Sequence, residues 1–233
     1  MTKVVGILGG MGPLATVKLF EDMILLTEAK KDQEHLHILV DNNTKIPDRT
    51  DYILGEMGYD PRPKLIESAK RLEAAGAEFL VMPCNTAHNF YDDIVKNINI
   101  PFLNMIEETA KYIKEKYPED KNIGLLATDG TIKAQVYNKI FRKYDLEIIT
   151  PSAENQKYVY QLIYNIKKDV KQDSLEGFYK AMDDIKDREV NLFIAGCTEI
   201  SVALDLYKLK GNFVDPLRVV AISAIEFAGG RVK

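Results

Sequence analysis

The chain has 233 residues, 46% hydrophobic residues and a formal net charge of −4. This composition predicts a globular protein with a large buried core, at the border between one large domain and two small ones. The acidic balance argues against nucleic acid as a partner, and no apolar run reaches the roughly 18 to 20 residues that span a membrane. Residues 1–3 lead directly into an apolar strand without a signal-peptide pattern, so we expect a cytoplasmic protein with a small-molecule partner.

The first predicted elements are a strand, a glycine turn and a helix. Residues 4–8 are apolar, residues 9–12 are rich in glycine, and Pro13 is suited to the first turn of a helix. Strands that alternate with helices in this way indicate an α/β fold with parallel sheets. Further along, the first half predicts two more strands at 35–40 and 78–82, and a helix at 63–75 that ends before Gly76.

The second half of the chain repeats this order. Residues 122–127 form an apolar strand that precedes a turn of small residues and a helix start. The spacing from the strand glycine to the cysteine is also similar, at 78 residues from Gly6 to Cys84 and 73 residues from Gly124 to Cys197. The repeat predicts two pseudo-symmetric lobes with mostly parallel sheets flanked by helices, and an active site in the cleft between them. We place the N-terminal lobe at 1–98 plus 210–233 and the C-terminal lobe at 99–209.

The chain's two cysteines lie at matching strand ends of the two halves. Cys84 and Cys197 each follow an apolar run and precede a Thr or an Asn-Thr pair, which predicts the N-cap of a helix. Ligands of α/β sheets bind beyond the carboxyl ends of the strands, so we expect both thiols to face one cleft. A helix N-terminus favours the thiolate of each cysteine. A lone buried cysteine is usually a core residue, but the repeated context predicts a catalytic pair that is not joined as a disulfide.

Two thiols on opposite faces of a substrate suit the inversion of a stereocentre. Inversion without a redox step removes a proton from one face of a carbon atom and returns a proton to the other face. Repulsion between two thiolates disfavours the ionisation of both cysteines, so the expected resting state has one thiolate and one thiol. The two cysteines therefore indicate acid-base chemistry in which their roles alternate between substrate enantiomers.

Six short segments carry a pattern that extends along the chain. In chain order they are Gly9-Gly10-Met11-Gly12-Pro13, Asp32-Gln33-Glu34-His35, Ile46-Pro47-Asp48-Arg49-Thr50, Pro83-Cys84-Asn85-Thr86-Ala87-His88, Leu126-Ala127-Thr128 with Gly130-Thr131, and Gly196-Cys197-Thr198-Glu199. Together they resemble the aspartate/glutamate racemase family, most closely its aspartate racemase branch, and the match covers essentially the whole chain. The resemblance implies a homodimeric racemase that is independent of pyridoxal phosphate and needs no cofactor, with the two cysteines as its acid and base.

The resemblance also implies which residues contact the substrate. Amides and hydroxyls around Asn85, Thr86 and Thr198 hold the α-carboxylate and the amino group, while Arg49 and Lys167 hold the carboxylate of an acidic side chain. A guanidinium is suited to this task because it donates two parallel hydrogen bonds. We expect interconversion of L- and D-aspartate, with glutamate or a broader range of amino acids as the alternative. The full predicted contact set is Met11, Arg49, Asn85, Thr86, Thr128, Lys167, Thr198 and Glu199.

Four of the candidate residues have a second interpretation. Arg49 is also placed to form a surface ion pair with neighbouring acids, and Lys167 lies in a charged stretch typical of a solvated helix face. Glu199 suits either a helix cap or the amino group of the substrate. His88, four residues after the first cysteine, either tunes that thiol or serves as a capping or packing side chain.

Two other classes of function stay open on the sequence. Residues 10–15 match a G-x-G-x-x-A pattern after a strand, and Asp41 ends the next strand, as in dinucleotide-binding oxidoreductases. That pattern explains neither the second glycine turn nor the duplicated cysteine. A non-catalytic amino-acid binding module would keep the cleft without turnover. The spacing of His, Cys, Asp and Glu predicts no metal site.

Overall fold

Every strand pairing within the two sheets is parallel. The computed structural model describes residues 2–56, 58–186 and 188–233. The first sheet contains β1 (Val5–Gly9), β2 (Ile38–Asn42) and β3 (Phe79–Val81) in the order β2-β1-β3. The second contains β4 (Asn122–Ala127), β5 (Glu147–Ile149), β6 (Leu192–Gly196) and β7 (Phe213–Val214) in the order β5-β4-β6-β7. The predicted α/β fold with parallel sheets is confirmed.

Helices connect and cover these strands. The helix predicted at 63–75 is present, and Gly76 follows its end with a φ of +99°, a conformation that glycine adopts without strain. The helices are α1 (Pro13–Leu26), α2 (Arg49–Leu54), α3 (Arg62–Ala74), α4 (Tyr91–Val95), α5 (Met105–Lys116), α6 (Asp129–Ala134), α7 (Val136–Phe141), α8 (Ala153–Lys167), α9 (Glu176–Lys186), α10 (Thr198–Tyr207) and α11 (Pro216–Phe227). Within the described ranges, no helix is long and apolar enough to cross a membrane.

The two sheets repeat one pattern of strands. The strands β1 and β4 are central, and each is flanked by the next strand along the chain and by the strand that precedes a cysteine. An isolated parallel bridge between Leu80 and Phe102 extends the first sheet beyond β3, as β7 extends the second beyond β6. The internal duplication inferred from glycine and cysteine spacing is therefore visible as matching strand order.

The chain crosses between the sheets later than the sequence predicts. We predicted boundaries after residues 98 and 209, but Phe102 still pairs with the first sheet and Phe213 still pairs with the second. The crossings follow these pairings, at the starts of α5 and α11. Such short edge pairings depend on a strand that is distant in sequence, and for this reason local patterns did not indicate them.

The crossing helices α5 and α11 pack against each other and join the two lobes. In α5, Ile106, Ala110 and Ile113 belong to the buried core of the second sheet. In α11, Leu217 and Val220 belong to the core beneath the first sheet. Because each crossing helix buries apolar side chains in the lobe that it enters and packs against the other helix, the two helices hold the lobes together.

Candidate active site

The two cysteines line one enclosed cavity at the carboxyl ends of the strands. Cys84 follows β3 by three residues and Cys197 follows β6 directly. Both are free thiols, 5% and 7% exposed, and the cavity that they share has a volume of about 10 Å³. Such a volume holds a single water molecule. The duplicated strands thus bring the two thiols to the same place from opposite lobes.

All ten residues that the sequence predicts for the site line this cavity. Thr50 also lines it and was not predicted, although it lies in the Ile46–Thr50 segment used to recognise the family. The predicted residues therefore lie together around one cavity. The ten are Met11, Arg49, Cys84, Asn85, Thr86, Thr128, Lys167, Cys197, Thr198 and Glu199.

An outer pocket of about 310 Å³ adjoins the cavity. The two spaces share Met11, Arg49, Lys167, Thr198 and Glu199 among their walls. The volume of the outer pocket suits a small metabolite such as an amino acid. The outer pocket therefore lies directly beside the cavity that the two thiols line.

The turn after β1 brings Met11 to the cavity wall. Gly10 has a φ of +94°, and a Cβ atom at this position would collide with the backbone of Asn43. The Gly10 N–H donates a 2.9 Å hydrogen bond to the Thr16 hydroxyl, which ties the turn to the first helical turn of α1. Glycine is required here because two backbone segments meet without room for a side chain.

Cys197 is held as a neutral thiol. Its Sγ donates a 2.8 Å hydrogen bond to Glu199 Oε2. Burial raises the pKa of the Cys197 thiol well above its usual value, and the negative charge of Glu199 raises it further, while Lys167 opposes both effects. The prediction that a helix N-terminus would favour this thiolate is therefore wrong, because desolvation and an adjacent carboxylate outweigh the helix dipole.

The predicted helix caps beside the cysteines are also absent. Cys197 is itself the N-cap residue of α10 and Thr198 is the first helical residue, with no side-chain cap. After Cys84 the chain forms only a short 3₁₀ turn over Thr86–Phe90, and Asn85 does not cap it. The Asn85 and Thr86 side chains instead form hydrogen bonds with Tyr137, Thr128 and Thr131 of the second lobe.

Three buried hydroxyls form a triangle that joins the lobes at the cavity. Thr86 of the first lobe lies 3.1 Å from the Thr128 hydroxyl and 2.8 Å from the Thr131 hydroxyl, and the latter two are 3.0 Å apart. Thr128 also caps α6 by accepting from the Thr131 N–H. Thr131 was not among the predicted contacts, although it lies in the segment that carries the family resemblance.

Arg49 points into the site instead of forming a surface ion pair. Its Nη1 donates a 2.9 Å hydrogen bond to the Pro47 carbonyl, while its Nε is buried without a partner in the described ranges. No carboxylate lies within 4.0 Å of its guanidinium among the residues that the structure describes. Asp48, the expected alternative partner, instead caps α2 by accepting from the Thr50 and Asp51 N–H groups. An unpartnered buried donor of this kind suits an anionic ligand.

Lys167 ends α8 on the opposite side of the site. Its Nζ lies over the Tyr164 ring, 5.1 Å from the ring centroid. Burial lowers the pKa of Lys167, but nearby acidic groups, which include Glu199 and Asp48, outweigh burial and raise it overall. Lys167 therefore supplies a positive charge to the cavity wall while it stays exposed to solvent, so both interpretations of this residue hold in part.

His88 is a neutral capping residue and does not contact the Cys84 thiol. Its Nδ1 lies 2.8 Å from the Cys84 carbonyl oxygen, and its Nε2 accepts a 3.1 Å hydrogen bond from the Met105 N–H. Since Nε2 accepts, the ring proton lies on Nδ1 and is donated to the carbonyl. Burial lowers the pKa of His88 to about 4. The ring thus ties the Cys84 turn to the start of α5.

The second half has a matching connection. Ser201, four residues after Cys197, donates a 2.7 Å hydrogen bond to Asp215, which caps α11 through the Leu217 N–H. In the first half the equivalent helix α5 is capped by the neutral amide of Asn104. Burial raises the pKa of the Asp215 carboxyl to about 6. The duplicated position is therefore filled by a neutral amide in one lobe and by a buried carboxylate in the other.

We expect Asp215→Asn to raise the free energy of unfolding at pH 7 by about 1 to 3 kcal/mol, because it removes a desolvated charge and keeps the accepting oxygen. In the wild type, a folded pKa above the unfolded value makes Asp215 destabilise the fold as pH rises from about 4 to 6. The contribution of His88 to stability has the opposite pH dependence. Because its pKa is lowered in the folded protein, His88 destabilises the fold as pH falls from about 6.5 to 4.

Denaturant unfolding of both proteins at several pH values between 4 and 7 checks this prediction. The Asp215→Asn variant should lose stability more steeply than the wild type on acidification, because the His88 contribution is no longer offset. A variant that is less stable than the wild type at pH 7 would show that the charge of Asp215 is required.

The structure does not favour the dinucleotide-binding alternative. Asp41, the residue expected to hold a ribose, forms a 2.7 Å ion pair with Arg71. A Cβ atom added at Gly12 would lie 3.7 Å from the Glu199 Oε1 atom, so the glycine turn faces a carboxylate where a pyrophosphate would bind. Negative charge at this position opposes phosphate binding.

Two lobes with parallel sheets, and a polar cavity between them that two thiols line, define an α/β protein with a candidate active site between its lobes. A sequence model of the Asp/Glu/Hydantoin racemase family matches residues 8–223. The chain belongs to this family, and the resemblance read from its motifs is confirmed.

Individual relatives cover nearly the whole chain. The aspartate racemase of Picrophilus torridus is 32% identical, with a TM-score of 0.85 over 99% of this chain and 96% of the other. The broad specificity amino-acid racemase RacX of Bacillus subtilis is 28% identical over 95% of this chain and 96% of its own length. An aspartate racemase homologue from Pyrococcus horikoshii shares the fold, with a TM-score of 0.77 at 22% identity over 98% of this chain and its full length.

Proposed function

We propose that this protein interconverts L- and D-aspartate without pyridoxal phosphate, using Cys84 and Cys197 as the two proton-transferring groups. The observation that carries the proposal is that the two thiols, one from each half of a duplicated fold, line one enclosed cavity. The likeness to an aspartate racemase supports the choice of substrate. The likeness to a broad-specificity racemase makes glutamate or a wider range of amino acids the second candidate.

The protonation of Cys197 sets the starting roles. Cys197 donates its proton to Glu199, so we assign Cys197 the role of acid and Cys84 the role of base in the first turnover. Cys84 removes the α-proton of the enantiomer whose hydrogen faces it, and Cys197 then donates its proton to the opposite face of the planar carbanion. The product is the mirror-image amino acid, with Cys84 now a thiol and Cys197 a thiolate. The next substrate of opposite hand restores the first state.

Donors in the cavity match the charges of an acidic amino acid. Arg49 Nε and Asn85 Nδ2 are buried and lack partners in the described part of the chain. We assign Arg49 and Lys167 to the side-chain carboxylate, and Asn85, Thr86 and Thr198 to the α-carboxylate. We assign the amino group of the substrate to Glu199, whose carboxylate is the acidic group on the wall. Thr128 closes the hydroxyl triangle beside Thr86, and Met11 provides an apolar surface.

Entry of the substrate requires the cavity to expand. A volume of about 10 Å³ is too small for an amino acid, whereas the outer pocket of about 310 Å³ can receive one. The residues shared by the two spaces must move apart for the α-carbon to lie between the thiols. Closure around the substrate would then exclude water and strengthen the electrostatic contacts at the reacting carbon.

Incubation of each L-amino acid in deuterated water tests the proposal. We expect L-aspartate to lose optical activity and to incorporate one solvent deuterium at the α-carbon. Efficient exchange of neutral amino acids at a similar rate would favour broad specificity over aspartate. Tight binding of acidic amino acids without exchange would instead identify a binding module.

The Arg49→Lys variant tests the assignment of the side-chain carboxylate. Lysine keeps the charge but loses the planar pair of donors, so we expect KM for aspartate to rise about tenfold or more. The matched control is Arg71→Lys, which alters a partly exposed ion pair with Asp41 and should leave KM unchanged. Unchanged kinetics of Arg49→Lys would place the carboxylate elsewhere.

A homodimer is the proposed assembly, and the exposed face of α1 supports it. Leu14, Val17 and Leu25 are 63%, 61% and 58% exposed, and Phe20 and Ile24 lie on the same helix with more than a third of their surface in solvent. Contiguous apolar surface of this kind marks interaction sites. Sedimentation should give about twice the 26.4 kDa mass of the chain. A monomer at micromolar concentration would contradict the assembly.

A further inference from the structure

Tyr137 connects the second lobe to the site residue that follows Cys84. It lies in α7, its side chain is fully buried, and its hydroxyl donates a 2.5 Å hydrogen bond to Asn85 Oδ1. Its ring packs against Phe141, with the centroids 5.4 Å apart. No pattern in the sequence singled out this tyrosine, because its partner lies 52 residues away on the other lobe.

In the structure this hydrogen bond holds one orientation of the Asn85 amide. Oδ1 accepts the phenol proton, so the NH₂ group points away from Tyr137. Asn85 is 3% exposed, and its Nδ2 has no partner among the described residues. A buried donor without a partner is costly to maintain in a folded protein. Its position on the cavity wall provides the expected acceptor, an anionic group of the ligand.

The phenol stays protonated throughout the working range of pH. Burial raises the pKa of Tyr137 well above its usual value, and the charge of Asp215 raises it further. The orientation of the amide is therefore independent of pH. If the amide were reversed, its oxygen would face the cavity and repel a carboxylate.

We propose that Tyr137 is a positioning residue that presents Asn85 Nδ2 to the α-carboxylate of the substrate, and that it does so only while the two lobes are together. This inference rests on the proposed function, because it assigns a role within the same site. Tyr137 touches no reacting atom. Its effect passes through Asn85, which belongs to the other lobe and lies next to Cys84.

A double-mutant cycle in aspartate binding tests the inference. The four proteins are the wild type, Tyr137→Phe, Asn85→Ala and the double variant. Each is titrated by calorimetry with aspartate whose L- and D-enantiomers are already at equilibrium. We expect Tyr137→Phe to weaken binding about tenfold, which is the usual effect of losing one oriented hydrogen bond to a charged group. In the Asn85→Ala background the same change should have no further effect.

Tyr144→Phe is the matched control for the loss of a phenol. Tyr144 donates a 3.0 Å hydrogen bond to Glu107 and is not part of the cavity wall. It should leave both binding and KM unchanged. Thermal unfolding of both phenylalanine variants separates positioning from folding, because the phenyl ring retains the packing of Tyr137 against Phe141.

Distinct outcomes overturn this inference and the proposed function. Wild-type affinity in Tyr137→Phe, or an equal loss of affinity with and without Asn85, would overturn the positioning role. A wild-type protein that binds aspartate but does not racemise it would overturn the racemase proposal. The double-mutant cycle would still measure the role of Tyr137 in binding. A wild-type protein that binds no amino acid would overturn both.

Discussion

Replacing either cysteine by serine should lower the racemisation rate by about 10² to 10⁴-fold. A serine hydroxyl is far less acidic than a thiol, so it neither forms the required anion nor returns the proton effectively. Cys84→Ser removes the group that starts as the base, and Cys197→Ser removes the group that starts as the acid. Both variants should fold, because serine is nearly isosteric with cysteine and each position faces the cavity.

Proton exchange without inversion provides a sharper test than loss of activity. With one thiol left, a variant can still remove and return the α-proton on one face, so we expect exchange with deuterated water for only one enantiomer. Cys84→Ser and Cys197→Ser should therefore show opposite enantiomer preferences in NMR measurements of α-hydrogen exchange. The same preference in both variants, or near wild-type racemisation in either, would contradict the two-base mechanism.

Replacing Glu199 by glutamine should make Cys197 more reactive and the enzyme less active. The carboxylate raises the pKa of the Cys197 thiol through its charge and accepts the thiol proton at 2.8 Å. Glutamine keeps an accepting oxygen but removes the charge, so the thiolate becomes less unfavourable. A decrease of one pKa unit would increase the thiolate fraction at pH 7 about tenfold.

Alkylation of Cys197 by iodoacetamide, followed by peptide mass spectrometry, measures this change. We expect the pH profile of alkylation to move to lower pH in Glu199→Gln, and racemisation to fall by about 10- to 10²-fold because the thiol is no longer held as the acid. Glu67→Gln is the control, since Glu67 pairs only with partly exposed Lys64 and Arg71 on α3. An unchanged alkylation profile would show that burial alone sets the protonation of Cys197.

Much of the candidate site could be predicted because its residues lie next to recognisable strand ends. An apolar run followed by a cysteine is a local pattern, and parallel strands place their carboxyl ends at one edge of a sheet. Cys84 and Cys197 could therefore be placed opposite each other without knowledge of any distant contact. The motifs around Arg49 and Lys167 added the charged walls, which the structure brings to the same cavity.

The residues that were missed depend on contacts between distant parts of the chain. Thr131 joins Thr86 across 45 residues, and Tyr137 reaches Asn85 across 52 residues. The capping role of His88 required the Met105 N–H, 17 residues away, which local spacing does not indicate. The crossing points moved for the same reason, since Phe102 and Phe213 are positioned by edge pairing with another strand.

The sequence by itself determined the parallel α/β fold, its duplication and the family, because strand and turn patterns depend on neighbouring residues. The tertiary structure alone decided that the Cys197 thiol is hydrogen-bonded to Glu199, that the Asn85 amide accepts a hydrogen bond from Tyr137, and which buried donors of the described residues lack a partner. These properties follow from burial and from hydrogen bonds between the lobes, both of which exist only when the chain is folded. The two cysteines are equivalent in the sequence pattern, whereas in the folded protein Cys197 alone donates its proton to a carboxylate.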